Sequence, residues 1–461
     1  MHDPSDQRWK KTRPPDPTAS AFSWRNWAGD QRCAPAAIER PWSIEEISAA
    51  LSRATASGMT ARVAGSGHSF SDIACTDGMQ LQLDGLCQVL DIDRESGLVR
   101  VQAGITIRAL NQRLAQHGLA LQNLGDIDAQ TISGAISTAT HGTGSRLPNI
   151  PAQLEEITLV LADGGVLRCS AASNPEVFRA ARVGLGVLGV IADVTLRCMP
   201  AFCLRGVDGS APLKQTLERF EDLSQANDHF EFYVFPYAQT ALTRTNNRTD
   251  ESPRPPSALN AYLNDVLLVN GAFGLFCRIG RGLPSQIPRI NRLVTKLAGD
   301  RVRVDRSDRV FATPRLVRFT EMEYALPRAN VPEAVRRVLA MVQREQLPVP
   351  FPIEVRTVAA DDAFLSTAAG RDSGFVAVHM FEGMAFETYF RAVEAIMDEL
   401  AGRPHWGKRH FQTAQTLGPR YPDWDRFQAV RARLDPHGLF SNAWTDRVLG
   451  PVGEPSSEQA A

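Results

Sequence analysis

Over the first 200 residues the apolar positions switch repeatedly between a helical period and strict alternation, and caps and glycines mark the switches. Residues 43–58 repeat at helical spacing, with Ser43 as cap, Glu46 completing a capping box and Gly58 after the last turn. Thr60-Ala-Arg-Val-Ala64 reads as a short strand that runs into the loop Gly65-Ser-Gly-His-Ser69. Met79–Leu83 alternates as a strand, and Val89–Asp93 with Leu98–Gln102 predicts a hairpin around Arg94-Glu-Ser-Gly97. Thr106 caps a helix with Ile107, Leu110 and Leu114 on one face, ended near Gly118. Strands Ile157–Leu161 and Val166–Cys169 flank a turn at Ala162-Asp-Gly-Gly165. A helix opens at Asn174-Pro175, where proline suits the first helical position, and Val190–Leu196 is the last strand of this half.

After Met199-Pro200 the character changes. Residues 201–410 mix amphipathic helices (Pro332–Gln343, Phe386–Leu400) with alternating strands such as Phe230–Phe235 and Phe375–His379. Ser252–Pro256 reads as a surface loop, and the apolar run Val266–Phe276 as a buried strand or helix. Strands arrive in hairpins and runs rather than in strict β-α-β alternation, so the expected class is α+β with a domain boundary near 200. The charged, proline-rich N-terminal 25 residues are expected to be a mobile tail, and 451–461 a disordered one.

Composition removes several classes of function. A formal net charge of -1 gives no basic field for nucleic acid. No run approaches the ~20 apolar residues of a membrane span, and no apolar leader precedes residue 17. Seven cysteines, odd in number and without a C-x-x-C pair, fit reduced thiols in a cytoplasmic protein and give no zinc pattern. No metal site is expected.

The chemistry is carried by loops. Gly65-Ser-Gly-His-Ser69 leaves a strand and exposes successive N–H groups, the arrangement that cradles phosphate; Thr140-His-Gly-Thr-Gly144 offers the same chemistry after Ser133-Gly-Ala-Ile-Ser137. Each alone reads equally well as a tight turn. Gly184-Leu-Gly-Val-Leu-Gly189 fits the dinucleotide fingerprint G-x-G-x-x-G, but a helix precedes it and a strand follows. That order is the reverse of a Rossmann unit, so nicotinamide binding is rejected.

Taken in order, Arg62-Val-Ala-Gly-Ser-Gly-His-Ser-Phe70, Asn123-Leu-Gly-Asp126, Ser133-Gly, Thr140–Gly144 and Gly184–Val190 resemble the vanillyl-alcohol-oxidase superfamily with its PCMH-type FAD domain. Glu354-Val-Arg-Thr357 and His405-Trp-Gly-Lys408 narrow the resemblance to its aldonolactone and alditol oxidase branch, from about Asn26 to Trp444. The resemblance implies an FAD domain from residues 26–200, closed by a returning segment, 411–450, with an α+β cap domain from 201–410. It implies FAD joined covalently to His68, and cofactor contacts from Gly65, Ser66, Gly67, Ser69, Gly125, Asp126, Ser133, Thr140, His141, Gly142, Gly144 and Val190. It implies catalytic roles for Glu354, Arg356, Lys408 and His379. Glu354 and Arg356, two apart on a strand, would share a face.

Two departures bear on the substrate. Asp126 stands where alditol oxidases carry a serine, and Phe381 where they carry a threonine. An aromatic ring in place of a hydroxyl suits a compact ring better than an open polyol, which favours an aldonolactone oxidised next to its carbonyl. An alditol is the alternative. Gly125 leaves open the position where a methyl group obstructs oxygen in dehydrogenase relatives, which favours oxygen as acceptor; a lactone dehydrogenase using another acceptor is the alternative. A second enzyme class shares the FAD fold, reductases of a cell-wall sugar nucleotide, which lack the Glu-Val-Arg and His-Trp-Gly-Lys features; a third reading, from a different class, is a catalytically idle flavin- or sugar-binding protein.

Overall fold

The computed structural model describes residues 23–255, 271–312 and 316–453. Its expected elements fall close to where the periodicities put them. The first long helix is Ile44–Ala56, with the Ser43 hydroxyl accepting from Glu46 N–H and the Glu46 carboxylate accepting from Trp42 N–H. The next is Ile107–Gln116, capped by Thr106. Apolar burial of Ile47, Leu51, Leu110 and Leu114 fastens both to the same core.

That core is built on two sheets. Strands Ala37–Glu39, Met79–Gln82 and Ala61–Ala64 run parallel, with Met79–Gln82 in the middle. A five-stranded antiparallel sheet follows the order Val166–Ser170, Leu154–Val160, Val190–Arg197, Leu98–Gln102, Val89–Asp93. The helices Trp424–Leu434 and Ala443–Leu449 complete the same core through Phe427, Phe440, Trp444 and Val448. Val310, Phe311, Ala363–Leu365 and Trp406 also join it, so chain contributions to this core begin well before residue 411.

The second core lies on an eight-stranded antiparallel sheet. Its order is Arg301–Arg306, Cys203–Pro212, Thr240–Thr249, His229–Val234, Ile353–Val358, Ser373–Phe381, Phe319–Pro327, Arg403–Pro404. Helices Val331–Arg344 and Glu387–Glu399 pack on one face of it. Because side chains alternate across a strand, Phe232, Val234, Met322, Tyr324, Val355, Val376 and Val378 meet those helices. Their neighbours Glu231, Tyr233, Glu321, Glu323, Glu354, Arg356 and His379 are thereby turned to the opposite face. One register shift would put these charges into an apolar core.

The expected tail over 1–25 needs correction at its end. Trp24–Arg25 form a strand with Arg32–Cys33; residues 1–22 lie outside the described chain. Asn26 holds the turn with Asp30 and donates to the Ser69 carbonyl at 3.0 Å, while Trp27 N–H donates to the Gly67 carbonyl at 2.7 Å. Of Val266–Phe276, the first five residues lie outside the described chain, and Phe273 starts the helix Phe273–Gly282. Within the loop 252–256, Pro256 is also outside it.

Candidate active site

Two clefts meet at His68. The first spans about 820 Å³, open solvent included, and is walled by Val63, Gly65–Ser69, Ser133, Gly134, Ser137, Leu185, Gly186, Gly189 and Ile191. Most of these residues are small, so the backbone itself forms much of the wall, as a cradle for phosphates requires. Gly67 has φ +70°, and a β-carbon there would stand 3.3 Å from Trp24 and 3.4 Å from Asn26. Arg62, within the preceding strand Ala61–Ala64, locks the cradle from behind. Its guanidinium donates to the carbonyls of Ile73, Leu185, Gly186 and Phe440.

The second cleft, about 680 Å³, shares His68, Ser69, Gln130 and Thr138 with the first. Its other walls are Gly125, Asp126, Thr140, His141 and the polar face of the eight-stranded sheet: Glu321, Glu323, Glu354, Arg356 and His379, with His405 and Lys408. Strand register makes Glu321 and His379 direct neighbours. His379 Nε2 is 3.6 Å from Glu321 and 3.9 Å from Glu354. Its Nδ1 faces the Pro352 carbonyl at 3.1 Å, a partner that can only accept, so Nδ1 carries a proton, and Nε2 is turned to the two carboxylates.

The charges fall into two groups. Arg356 is bonded to Glu354, lies 2.5 Å from Asp126 and brings Nε within 3.4 Å of Glu231, though not aligned for a hydrogen bond. Burial opposes its charge, yet Asp126, Glu354 and Glu231 hold Arg356 well above the ordinary arginine range. Glu231 is pushed up by burial and by Asp126, despite Arg356 and Arg244. Tyr233 donates to Glu231 at 2.9 Å. In the other group Lys408 reaches Glu321 at 2.5 Å. Burial alone would raise Glu321, but Lys408 and His379 draw it down to about 2. His141 and Lys408 similarly hold Glu323 well below the usual carboxylate range against its burial.

His68 stands apart from these pairs. Burial, reinforced by the Lys408 charge, pulls it down to about 4, so the ring is neutral near pH 7. Trp27 stacks on it at 5.6 Å between ring centroids, and its Nδ1 is buried with no hydrogen-bond partner. A buried unpartnered nitrogen costs stability unless something else meets it.

Of the residues singled out from the sequence, Gly65, Ser66, Gly67, His68, Ser69 and Ser133 line the first cleft; Gly125, Asp126, Thr140, His141, Glu354, Arg356, His379 and Lys408 line the second. Val190 is fully buried in the core, between Gly189 and Ile191 of the cleft wall. Gly142 and Gly144 lie behind the surface. A β-carbon at Gly142 would fall 2.2 Å from the Leu124 carbonyl oxygen, and Gly144 bridges to Val358. Sequence reasoning missed Glu231, Tyr233, Glu321, Glu323, His405 and Trp27. The alternation Phe319-Thr-Glu-Met-Glu-Tyr324 was the available signal for two of them: paired acids on the inward period of an apolar strand.

A glycine-walled cleft with an unpartnered histidine, opening onto a face of buried acid-base pairs, defines a flavin-dependent oxidoreductase, and residues 35–170 match the FAD binding domain family. Residues 194–448 match the D-arabinono-1,4-lactone oxidase family, and the chain belongs to it. It is 54% identical over 428 residues to an L-gulono-1,4-lactone dehydrogenase of Mycobacterium tuberculosis, covering 93% of this chain and 99% of that one. It is 34% identical to the L-gulonolactone oxidase of Bos taurus, over 92% of this chain and 98% of that one. A cholesterol oxidase crystal structure from B. sterolicum shares the fold, with TM-score 0.81 at 18% identity over 95% of this chain and 99% of that one. No helix among the described residues is long and apolar enough to cross a membrane.

Proposed function

We propose that the chain oxidises an aldono-1,4-lactone of the gulono, galactono or arabinono type at the hydroxyl-bearing carbon next to the lactone carbonyl. In this reading the residues lining the two clefts would hold FAD, with His68 as its covalent attachment. The observation that carries it is that one cleft brings His68 together with Glu354, Arg356, His379 and Lys408. The names of the relatives at 54% and 34% identity favour a lactone over an alditol. The two hydrophobic cores support an FAD domain and a cap, although Val310, Phe311, Ala363–Leu365 and Trp406, within the expected cap span 201–410, pack into the FAD-side core with 26–200 and 411–450.

FAD, when bound, supplies the hydride acceptor. The chain supplies the rest. Glu354 takes the hydroxyl proton, and His379 Nε2, within 4 Å of both Glu354 and Glu321, can relay it. Arg356 fixes the Glu354 carboxylate and presents positive charge to the substrate oxygen. Lys408, at the wall of the second cleft, would supply positive charge to stabilise the anionic reduced flavin. A panel of aldonolactones and alditols, read by anaerobic flavin bleaching, tests this. Bleaching by a gulono-, galactono- or arabinono-1,4-lactone is expected; bleaching by alditols alone would overturn the assignment.

The tether is supported by the neutral ring and unpartnered Nδ1 of His68. Acid-precipitated protein is expected to stay yellow, and His68→Ala to release all its flavin on precipitation. Free FAD in the wild-type supernatant sinks the covalent bond.

Oxygen is the acceptor we favour, on the strength of Gly125. It lines the second cleft, and a β-carbon there would stand 3.1 Å from the His141 carbonyl oxygen and 3.5 Å from Thr140. Gly125→Ala is expected to slow aerobic flavin reoxidation about tenfold, a barrier rise of about 1.4 kcal/mol, with anaerobic bleaching unchanged. The name of the 54%-identical relative supports a second reading, a dehydrogenase passing electrons to a carrier. Peroxide released during turnover in air decides between them.

A further inference from the structure

Helices Phe273–Gly282 and Ile287–Leu297 sit side by side outside the second core. Their inner faces are well anchored. Phe273 meets Phe235 and Phe351, Cys277 is buried, and Asn291 donates to the carbonyls of Pro236 and Val349. The outer faces are different. Among the described residues eleven large hydrophobic side chains are strongly exposed, and five are on this short stretch: Leu275 at 53%, Ile279 at 40%, Leu283 at 57%, Leu293 at 47% and Leu297 at 65%. Leu275 and Ile279, and again Leu293 and Leu297, are four residues apart, so each pair forms one stripe on its helix. Scattered apolar residues are normal on a surface, but a contiguous stripe marks an interaction site.

Charge identifies the partner. From Gly271 to Gly299 the chain carries Arg278, Arg281, Arg289, Arg292 and Lys296 and no Asp or Glu, in a protein whose overall net charge is -1. No carboxylate among the described residues pairs with any of the five; Arg281, Arg289 and Arg292 bond only to Glu382 O, Gln286 Oε1 and Tyr237 O. Exposed leucines interleaved with cations are the composition of a helix lying in a membrane interface, apolar side chains in the acyl boundary and cations among headgroups.

We infer that these two helices dock the protein on an anionic lipid surface. The inner face of Phe273–Gly282 joins the active site through Phe273, Phe351 and His379, whose successive ring centroids are 4.8 and 5.9 Å apart.

Flotation of the FAD-loaded protein with phosphatidylcholine vesicles, with and without about 30% phosphatidylglycerol, tests this. Wild type is expected to float with the anionic vesicles only. Leu293→Ser/Leu297→Ser and Arg278→Ser/Lys296→Ser are each expected to lower the bound fraction about tenfold or more, with flavin absorbance and lactone bleaching unchanged. Failure of wild type to float, equal floating on neutral vesicles, or equal floating of the variants overturns the inference. So does a wild-type dimer in sedimentation that Leu293→Ser/Leu297→Ser converts to a monomer, since a second copy would then cover the face.

Discussion

Glu354→Gln is expected to keep its flavin and bleach about a thousandfold more slowly with lactone, and Arg356→Ala about a hundredfold more slowly. The amide of glutamine has the shape of the carboxylate but takes no proton, and it confronts Arg356 with a second donor. Arg356→Ala acts differently. It removes the cation bonded to Glu354 and 2.5 Å from Asp126, leaving those two with Glu231 as carboxylates whose oxygens lie within 4.8 Å of one another. Glu231, already raised by burial and by Asp126, loses a cation that opposes the rise, so it goes higher and a proton is retained in the cluster to higher pH. The acid limb of the bleaching rate is therefore expected to move to higher pH in Arg356→Ala. Lysine is a poor substitute, because a compact ammonium cannot span three carboxylates as a planar guanidinium does. Stopped-flow bleaching across pH reads both effects; unaltered rates in either variant would refute the assigned roles.

The second large effect is on folding. Arg62 is 2% exposed, and burial lowers it only to about 10, so it is charged at neutral pH. In Arg62→Met the carbonyls of Leu185, Gly186 and Phe440 lose this donor inside the protein, while the Ile73 carbonyl still has Asn442. At about 1–3 kcal/mol for each of these three groups left unsatisfied, the loss is about 3 kcal/mol or more, a large share of the stability of a typical domain. A fall in the urea midpoint with weaker FAD retention is expected. A midpoint within error of wild type would show that the carbonyls find water instead.

Local signals made much of the fold legible. Ser43 and Thr106 cap the helices they were expected to cap, because a capping hydroxyl acts within three residues. The motif Gly184–Gly189 follows the helix Pro175–Ala181 and precedes the strand Val190–Arg197, the order that excluded a Rossmann unit. Yet Gly186 and Gly189 do face the first cleft, a placement that chain order could not reveal. Glu354 and Arg356 share a face because strand alternation needs only two residues to be read. Glu321 and Glu231 escaped notice since their meaning depends on which strands are neighbours, and that is set by pairing across long separations. Trp27 was hidden for the same reason: nothing local ties an N-terminal tryptophan to a histidine 41 positions later.

The reach of Arg62 also sets an order of events in the cell. One of its bonds crosses 378 positions to Phe440, and Phe70 N–H is held by the Gly407 carbonyl. The walls on either side of His68 therefore close only after the ribosome has released the chain beyond residue 440. A nascent polypeptide halted before that point displays the glycine loop without its backing from Phe440 and Gly407.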